Sequence, residues 1–246
     1  MERIDIIIAI LTLLGGFFGI PEAIKLGYRQ IQKFIIRNKA KKLEKQLEAG
    51  IDRKSFLDNR VFNELKRLLW RAKDVSKNKE FLQEQLEQII GNLYDAGMYE
   101  GLQELRAKFQ NDFEFSARSW ANLAIANMNL YLFDGVNEYR EYCLEACKES
   151  IKRLGNYGDP RAVMLIIYMI DYERKKQINK DNIRNMINEI NSGEDTLVSY
   201  ETYDYLLRTK EIKGWSKYID HLFNLYPNEM GEMKNRYEEH MKKLSS

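Results

Sequence analysis

The chain has 246 residues, with 39 Lys/Arg against 37 Asp/Glu and 44% apolar residues. That length suits one or two globular domains. The charge is unevenly placed: residues 1–54 hold eleven Lys/Arg and six Asp/Glu, which leaves 28 and 31 for the rest. A basic leading segment on a slightly acidic body argues against a broad nucleic-acid surface, so nucleic acid is not an expected partner. Only three Pro are present, and most long segments read at helical period, so an all-α class is expected.

In chain order, Ile6–Ile20 is fifteen residues without a charge, IIIAILTLLGGFFGI. A full span needs about twenty apolar residues, and Asp5, Pro21 and Glu22 bound the run tightly. A buried helix of a soluble fold is one reading; a membrane anchor over residues 1–20, spanning or embedded, is the expectation adopted. A cleaved leader is not expected, because Met-Glu-Arg-Ile-Asp has no basic start and no small-x-small site follows. Lys25, Arg29, Lys33, Arg37, Lys39, Lys41, Lys42 and Lys45 follow the run against Glu44. The positive-inside rule then places the C-terminal body in the cytoplasm, as a single-pass protein. Gly15 and Gly19 form a G-x-x-x-G pair. Small residues four apart let two membrane helices approach closely, which implies a homo-oligomer or another membrane helix as partner for this segment.

Gly19-Ile20-Pro21 reads as a stop and a restart, since proline suits the first turn of a helix. A basic juxtamembrane segment, residues 21–54, carries a long helix from Pro21 to about Glu48, about 40 Å in length. Lys25, Arg29, Lys33 and Arg37 recur every four residues, and Ile24, Tyr28, Ile31, Phe34 and Ile35 take the other side. Lying flat on an anionic lipid surface, each of these cations would contribute about 1 kcal/mol. Standing upright, the helix would be a solvated connector.

Residues 55–246 read as a helical-repeat domain. Two amphipathic stretches, Asp58–Val75 and Lys79–Asp95, open it. Tyr99-Glu-Gly-Leu-Gln-Glu-Leu-Arg106 then recurs 34 residues later as Phe133-Asp-Gly-Val-Asn-Glu-Tyr-Arg140. A fixed period of that length predicts stacked helical hairpins. The clearest repeats are 82–110 and 116–154. The first pairs a helix Leu82–Asp95 with Tyr99–Gln110. The second pairs a helix capped by Ser116 and ending near Leu132 with one running from Asp134 to Leu154. Beyond Gly155 follow an apolar helix from Asp159-Pro160, a short one near Asn182–Ile190, then Tyr200–Ile212, Trp215–Leu225 and a polar terminal helix from Asn228 suited to capping the array.

The 34-residue period, the spacing Trp120-x-x-Leu123-Ala124 and the aromatic opening of the second helix resemble the tetratricopeptide-repeat family. The resemblance covers about 70 residues in two units. Leu86, Ile89 and Ile90 stand where the family favours Trp, Leu and a small residue. Leu102 and Val136 stand where it favours alanine, and its closing proline is absent. It implies a tetratricopeptide-like superhelix of antiparallel hairpins. It also implies a concave groove lined by Glu84, Glu87, Gln88, Gly91, Arg118, Asn122, Ile125 and Asn129. Glu87 replaces an expected base, which argues against a chaperone-tail ligand.

Little points to chemistry. His221 and His240 sit on separate helices, and Gly155-Asn-Tyr-Gly158 lacks the spacing of a phosphate loop. Cys143 and Cys147 lie four apart; zinc would need two further ligands, and buried small hydrophobes are the simpler reading. No catalytic residue, metal or cofactor is expected. The expected function is a membrane-anchored scaffold or adaptor. It would bind a protein partner through Glu87, Gln88, Arg118, Asn122, Ile125 and Asn129, with Gly15 and Gly19 packing membrane helices and Lys25, Arg29, Lys33 and Arg37 meeting lipid. The alternative is a membrane-perturbing effector of the bacterial defence or toxin type. There the body senses a signal and the N-terminal helices cluster.

Overall fold

The computed structural model describes residues 21–48, 67, 71, 79–95, 97–111, 114–154, 158–174, 180–193 and 196–246. The expected anchor 1–20, with Gly15 and Gly19, and nearly all of the stretch Asp58–Val75 lie outside them. Among the described residues every regular element is a helix. These are α1 (Pro21–Glu48), α2 (Lys79–Asp95), α3 (Tyr99–Phe109), α4 (Ala117–Asp134), α5 (Asn137–Leu154), α6 (Gly158–Glu173), α7 (Lys180–Ser192), α8 (Thr196–Lys210), α9 (Ser216–Leu225) and α10 (Pro227–Leu244). The all-α expectation holds, and the long helix from Pro21 ends at Glu48 as the sequence suggests. None of the described helices is long and apolar enough to cross a membrane.

The helices fall into two units. The first runs to Asn92 and takes in Asn111–Glu114; the second comprises Leu93–Gln110 and Phe115–Ser246. In the first unit Ile36 of α1 is buried, as are Leu86, Ile89 and Ile90 of α2. Arg37 reaches Glu84 at 3.0 Å. Both side chains are half exposed, so this pair contributes only about 0.2–1 kcal/mol.

In the second unit each helix packs on its successor and, for the even-numbered ones, on the next but one. Thus α3 meets α4, α4 meets α5 and α6, α6 meets α8, and α8 meets α10. The sequence explains which helices go inside. α4 is apolar nearly all round, and the residues from Leu123 to Tyr131 are all buried. α6 likewise buries Ala162–Ile167 and Met169–Asp171. A helix hydrophobic on every side needs neighbours on every side. α10 buries only Met230 and Met233.

Local chemistry sets the helix ends. Ser116, in extended backbone, accepts from the Ser119 amide at 3.2 Å and starts α4. Gly135, at φ 71°, ends α4 in the left-handed conformation that side chains resist, and its amide donates to Tyr131 O. Pro227 occupies the first turn of α10, where its missing N–H is no loss.

The eight-residue echo does not mark equivalent places in this framework. The first copy lies wholly in α3, whereas Phe133 and Asp134 close α4 and the second copy crosses the Gly135 turn. The left-handed glycines between paired helices, Gly97 and Gly135, are 38 positions apart (135 − 97), not 34. The echo is therefore displaced by about one helical turn. Phe133 does not open the second helix of its hairpin, which starts at Asn137 rather than Asp134.

α6 and α8 come into close contact at Gly158. A Cβ there would lie 2.5 Å from Glu201 Cβ and 2.5 Å from the Thr202 amide. The contact is sealed by Gly158 N–H donating to Glu201 Oε2 at 2.8 Å and by Thr202 Oγ1 donating to Gly158 O at 3.2 Å. Gly158→Ala is expected to destabilise the protein by about 1–3 kcal/mol through overpacking. Thermal unfolding should show a midpoint several degrees lower, while Gly231→Ala, with open space at its Cβ, should leave it unchanged or raise it.

Candidate functional site

The residues expected to line a groove belong to two different units. Glu87 is exposed and Gln88 half-buried on α2, in the first unit. On α4, in the second unit, Arg118 is exposed and Asn122 half-buried. Ile125 and Asn129 are corrections. They are 6% and 7% exposed, and the Asn129 amide donates to Ile125 O at 3.0 Å on its own helix. With α5 and α6 both packed on α4, these two positions face protein rather than a ligand.

On α1, Arg29 and Arg37 are exposed and Lys33 half-buried; the Lys25 side chain lies outside what is described. The thiols of Cys143 and Cys147 are free and buried, and burial pushes the Cys143 thiol well up. Among the described residues no group of three His, Cys, Asp or Glu is placed to hold a metal.

A different region gathers more features. A cleft of about 470 Å³ opens where α4 ends, lined by Leu132, Phe133, Glu173, Arg174, Gly214, Lys217 and Tyr218. Gly214, at φ 95°, lets the backbone turn into α9 past the Leu132 side chain. Phe133 is 74% exposed and Val136, across the Gly135 turn, is exposed too. Leaving a phenylalanine ring in water forgoes about 2 kcal/mol of burial.

The charges around it are ordered. Arg174 donates from Nη1 to Tyr131 O at 3.0 Å and from Nη2 to Leu132 O at 2.8 Å, capping the last carbonyls of α4. Its guanidinium also lies 4.8 Å from the Tyr131 ring centre. Glu173 meets His221 Nδ1 at 2.9 Å and Lys217 Nζ at 3.9 Å. Lys217 in turn sits 4.4 Å from the Tyr218 ring centre.

Two residues before Glu173 on the same helix, Asp171 is wholly buried. It accepts from Tyr131 OH of α4 at 2.5 Å and from Arg140 Nε of α5 at 2.5 Å. Burial alone would lower the Arg140 pKa, but the hydrogen bond and charge of Asp171 outweigh it and the net shift is upward. The sequence reading missed Asp171 and Arg174. The available signal was an acid, Asp171, in the otherwise apolar α6, whose burial requires a partner.

A second polar seam ties α3 to α5. Arg106 donates to Glu145 at 2.6 Å and lies 4.4 Å from the Tyr142 ring centre. The guanidiniums of Arg106 and Arg153 lie 5.9 and 5.5 Å from the Trp120 ring centre, and that ring meets Phe115 edge-on at 5.3 Å. The Trp120 of the repeat-like motif is thus a packing residue.

Comparison with known proteins adds no relative: no family model, curated protein or solved structure matches the chain.

Two outcomes follow. Asp171→Ala leaves the buried Tyr131 hydroxyl without its acceptor and the part-exposed Arg140 without its counter-charge, and equilibrium denaturation should show a loss of about 1–3 kcal/mol. The protein should also weaken in alkali. Burial raises the Tyr94 pKa from 10.0 to about 12 and raises Tyr205 and Tyr226 as well. Folded tyrosines then keep protons that unfolded ones release, so stability is full below about pH 10 and falls as pH rises toward about 12. Denaturant midpoints measured from pH 8 to 11.5 should decline only above pH 10, and less steeply in Tyr94→Phe.

Proposed function

We propose that this protein is a scaffold held at a membrane, which takes a protein partner on its helical body. The observation that carries the reading is the exposed Phe133 and Val136 beside the cleft at the end of α4. Interfaces concentrate their energy in a few aromatic anchors set by polar rims, and Arg174, Glu173 and Lys217 provide that rim. Support for an array that presents such a surface comes from the way α4, α6, α8 and α10 pack in succession. The groove suggested by repeat resemblance contributes Arg118 and Asn122 at a second place on α4. The membrane part of the proposal rests on the uncharged run Ile6–Ile20 and the cations that follow it.

A second reading, the membrane-perturbing effector, rests on Gly15 and Gly19 within that run. It predicts leakage from vesicles that Gly15→Leu with Gly19→Leu abolishes, whereas the scaffold predicts none.

The test of the scaffold is site-specific photocrosslinking in the native cell, with a benzophenone side chain in place of Phe133 and, as control, in place of exposed Glu238 on α10. One discrete adduct from position 133, absent from 238, is expected. Phe133→Asp should then weaken binding of the purified partner by roughly 30-fold, the size of an interface hot spot. Identical adduct patterns from the two positions would remove the cleft as the partner surface. Fractionation of a chain lacking residues 1–20 checks the membrane part: release into the soluble fraction is expected.

A further inference from the structure

The cleft at the end of α4 carries more hydrogen-bond donors than it uses. A guanidinium has five N–H groups and no acceptor. Two of those on Arg174 serve the Tyr131 and Leu132 carbonyls, and the other three have no acceptor among the described residues. The Lys217 side chain is 62% exposed, and its Nζ lies 3.9 Å from Glu173 Oε2, beyond hydrogen-bond distance. It lies 4.4 Å from the Tyr218 ring centre, and an ammonium is likewise a donor only. Glu173, the acid in the lining, already meets His221 at 2.9 Å. Asp134, exposed beside Phe133, is not part of the lining.

The backbone adds to the same field. Arg174 covers the negative end of α4. α9 begins at Ser216, and Lys217 and Tyr218 of its first turn line the cleft, so the positive end of that helix borders it. α6 brings its negative end there with Glu173, and His221 and Lys217 stand against that carboxylate. Beside these donors the lining is apolar, with Leu132 and the 74% exposed Phe133. A visitor that matches both halves has an acceptor-only group next to an apolar side chain. An ionised carboxylate accepts and does not donate. A neutral amide would bring further donors to a place that has them in excess. A phosphate dianion would roughly double the repulsion from Glu173.

We propose that the cleft recognises an acidic side chain of the partner protein through Arg174 and Lys217, with an aliphatic or aromatic neighbour of that acid packed on Phe133 and Leu132. This rests on the scaffold reading above and gives its partner a chemistry. The apolar contact supplies adhesion, and the cations select which apolar segments are accepted. Both cations reach solvent, so the selection weakens as salt rises.

The experiment titrates the full chain, in mild detergent, into two peptides blocked at both ends. One is Asp-Leu-Asp-Phe-Asp-Leu and the other its isostere Asn-Leu-Asn-Phe-Asn-Leu, each with fluorine on the ring, and the fluorine line is followed by nuclear magnetic resonance. The acidic peptide should broaden and saturate, and the neutral one should bind roughly fivefold or more weakly. Lys217→Gln should bring the acidic peptide down to the level of the neutral one and leave the neutral one unchanged. Lys242→Gln, exposed on α10, should change neither, and Phe133→Ala should weaken both. The Lys217 side chain is mostly in water, so its replacement should leave the thermal midpoint in place, which separates lost recognition from lost fold. Equal affinities for the two peptides overturn the acidic partner. So does a preference for the acid that Lys217→Gln leaves intact. Displacement of the acidic peptide by millimolar inorganic phosphate at constant ionic strength also overturns it and assigns the cleft to a phosphate. If crosslinking at position 133 still yields its discrete adduct, each of these outcomes leaves the scaffold standing. No adduct and no binding of either peptide removes both readings.

Discussion

One buried carboxylate ties three consecutive helices together. Asp171 sits on α6 and accepts from Tyr131 on α4 and Arg140 on α5. The Asp171 carboxylate and the Tyr131 ring are wholly buried, so the carboxylate is satisfied only if all three helices are in place. Apolar packing supplies most of the stabilisation in this region, but it tolerates small slides of one helix along another. The Asp171 tie does not, because a shift of one turn removes both of its donors. The axial register of α4, α5 and α6 is therefore set by a polar constraint inside an apolar stack.

The same logic recurs along the second unit with other groups. Arg106 and Glu145 link α3 to α5. The Asn191 amide donates to Glu229 O at 2.8 Å, and Tyr226 OH donates to Lys180 O at 2.9 Å, which link α7 to the start of α10. Ser150 Oγ donates to Ala117 O at 2.8 Å, fixing the end of α5 against the start of α4. Long-range polar bonds of this kind sit at the helix ends as well as the middles, so the array is pinned at several heights.

Much of this was legible in the sequence, and the rest failed for identifiable reasons. Pro21, Ser116, Pro227 and the apolar periods located the helices to within a few residues, because capping and amphipathicity are local properties. The 34-residue echo misled in detail. An aromatic followed two residues on by glycine does not say on which side of a turn it falls, and Gly101 is helical where Gly135 is left-handed. Ile125 and Asn129 were assigned to a groove because a single helix cannot reveal that α6 will cover it. Asp171 looked like any other acid until its three-helix setting was visible. On α1 the buried residue is Ile36, which the apolar face expected from Tyr28, Ile31, Phe34 and Ile35 did not include.

Arg174 closes α4 without being used up. Its two terminal nitrogens serve the Tyr131 and Leu132 carbonyls, and the Gly135 amide holds Tyr131 O as well. Each terminal nitrogen carries two N–H groups and spends one on a carbonyl. The guanidinium therefore fastens the end of one helix and keeps donors to spare, which a lysine ammonium, a single point of charge on a flexible stem, would not do in the same fixed geometry.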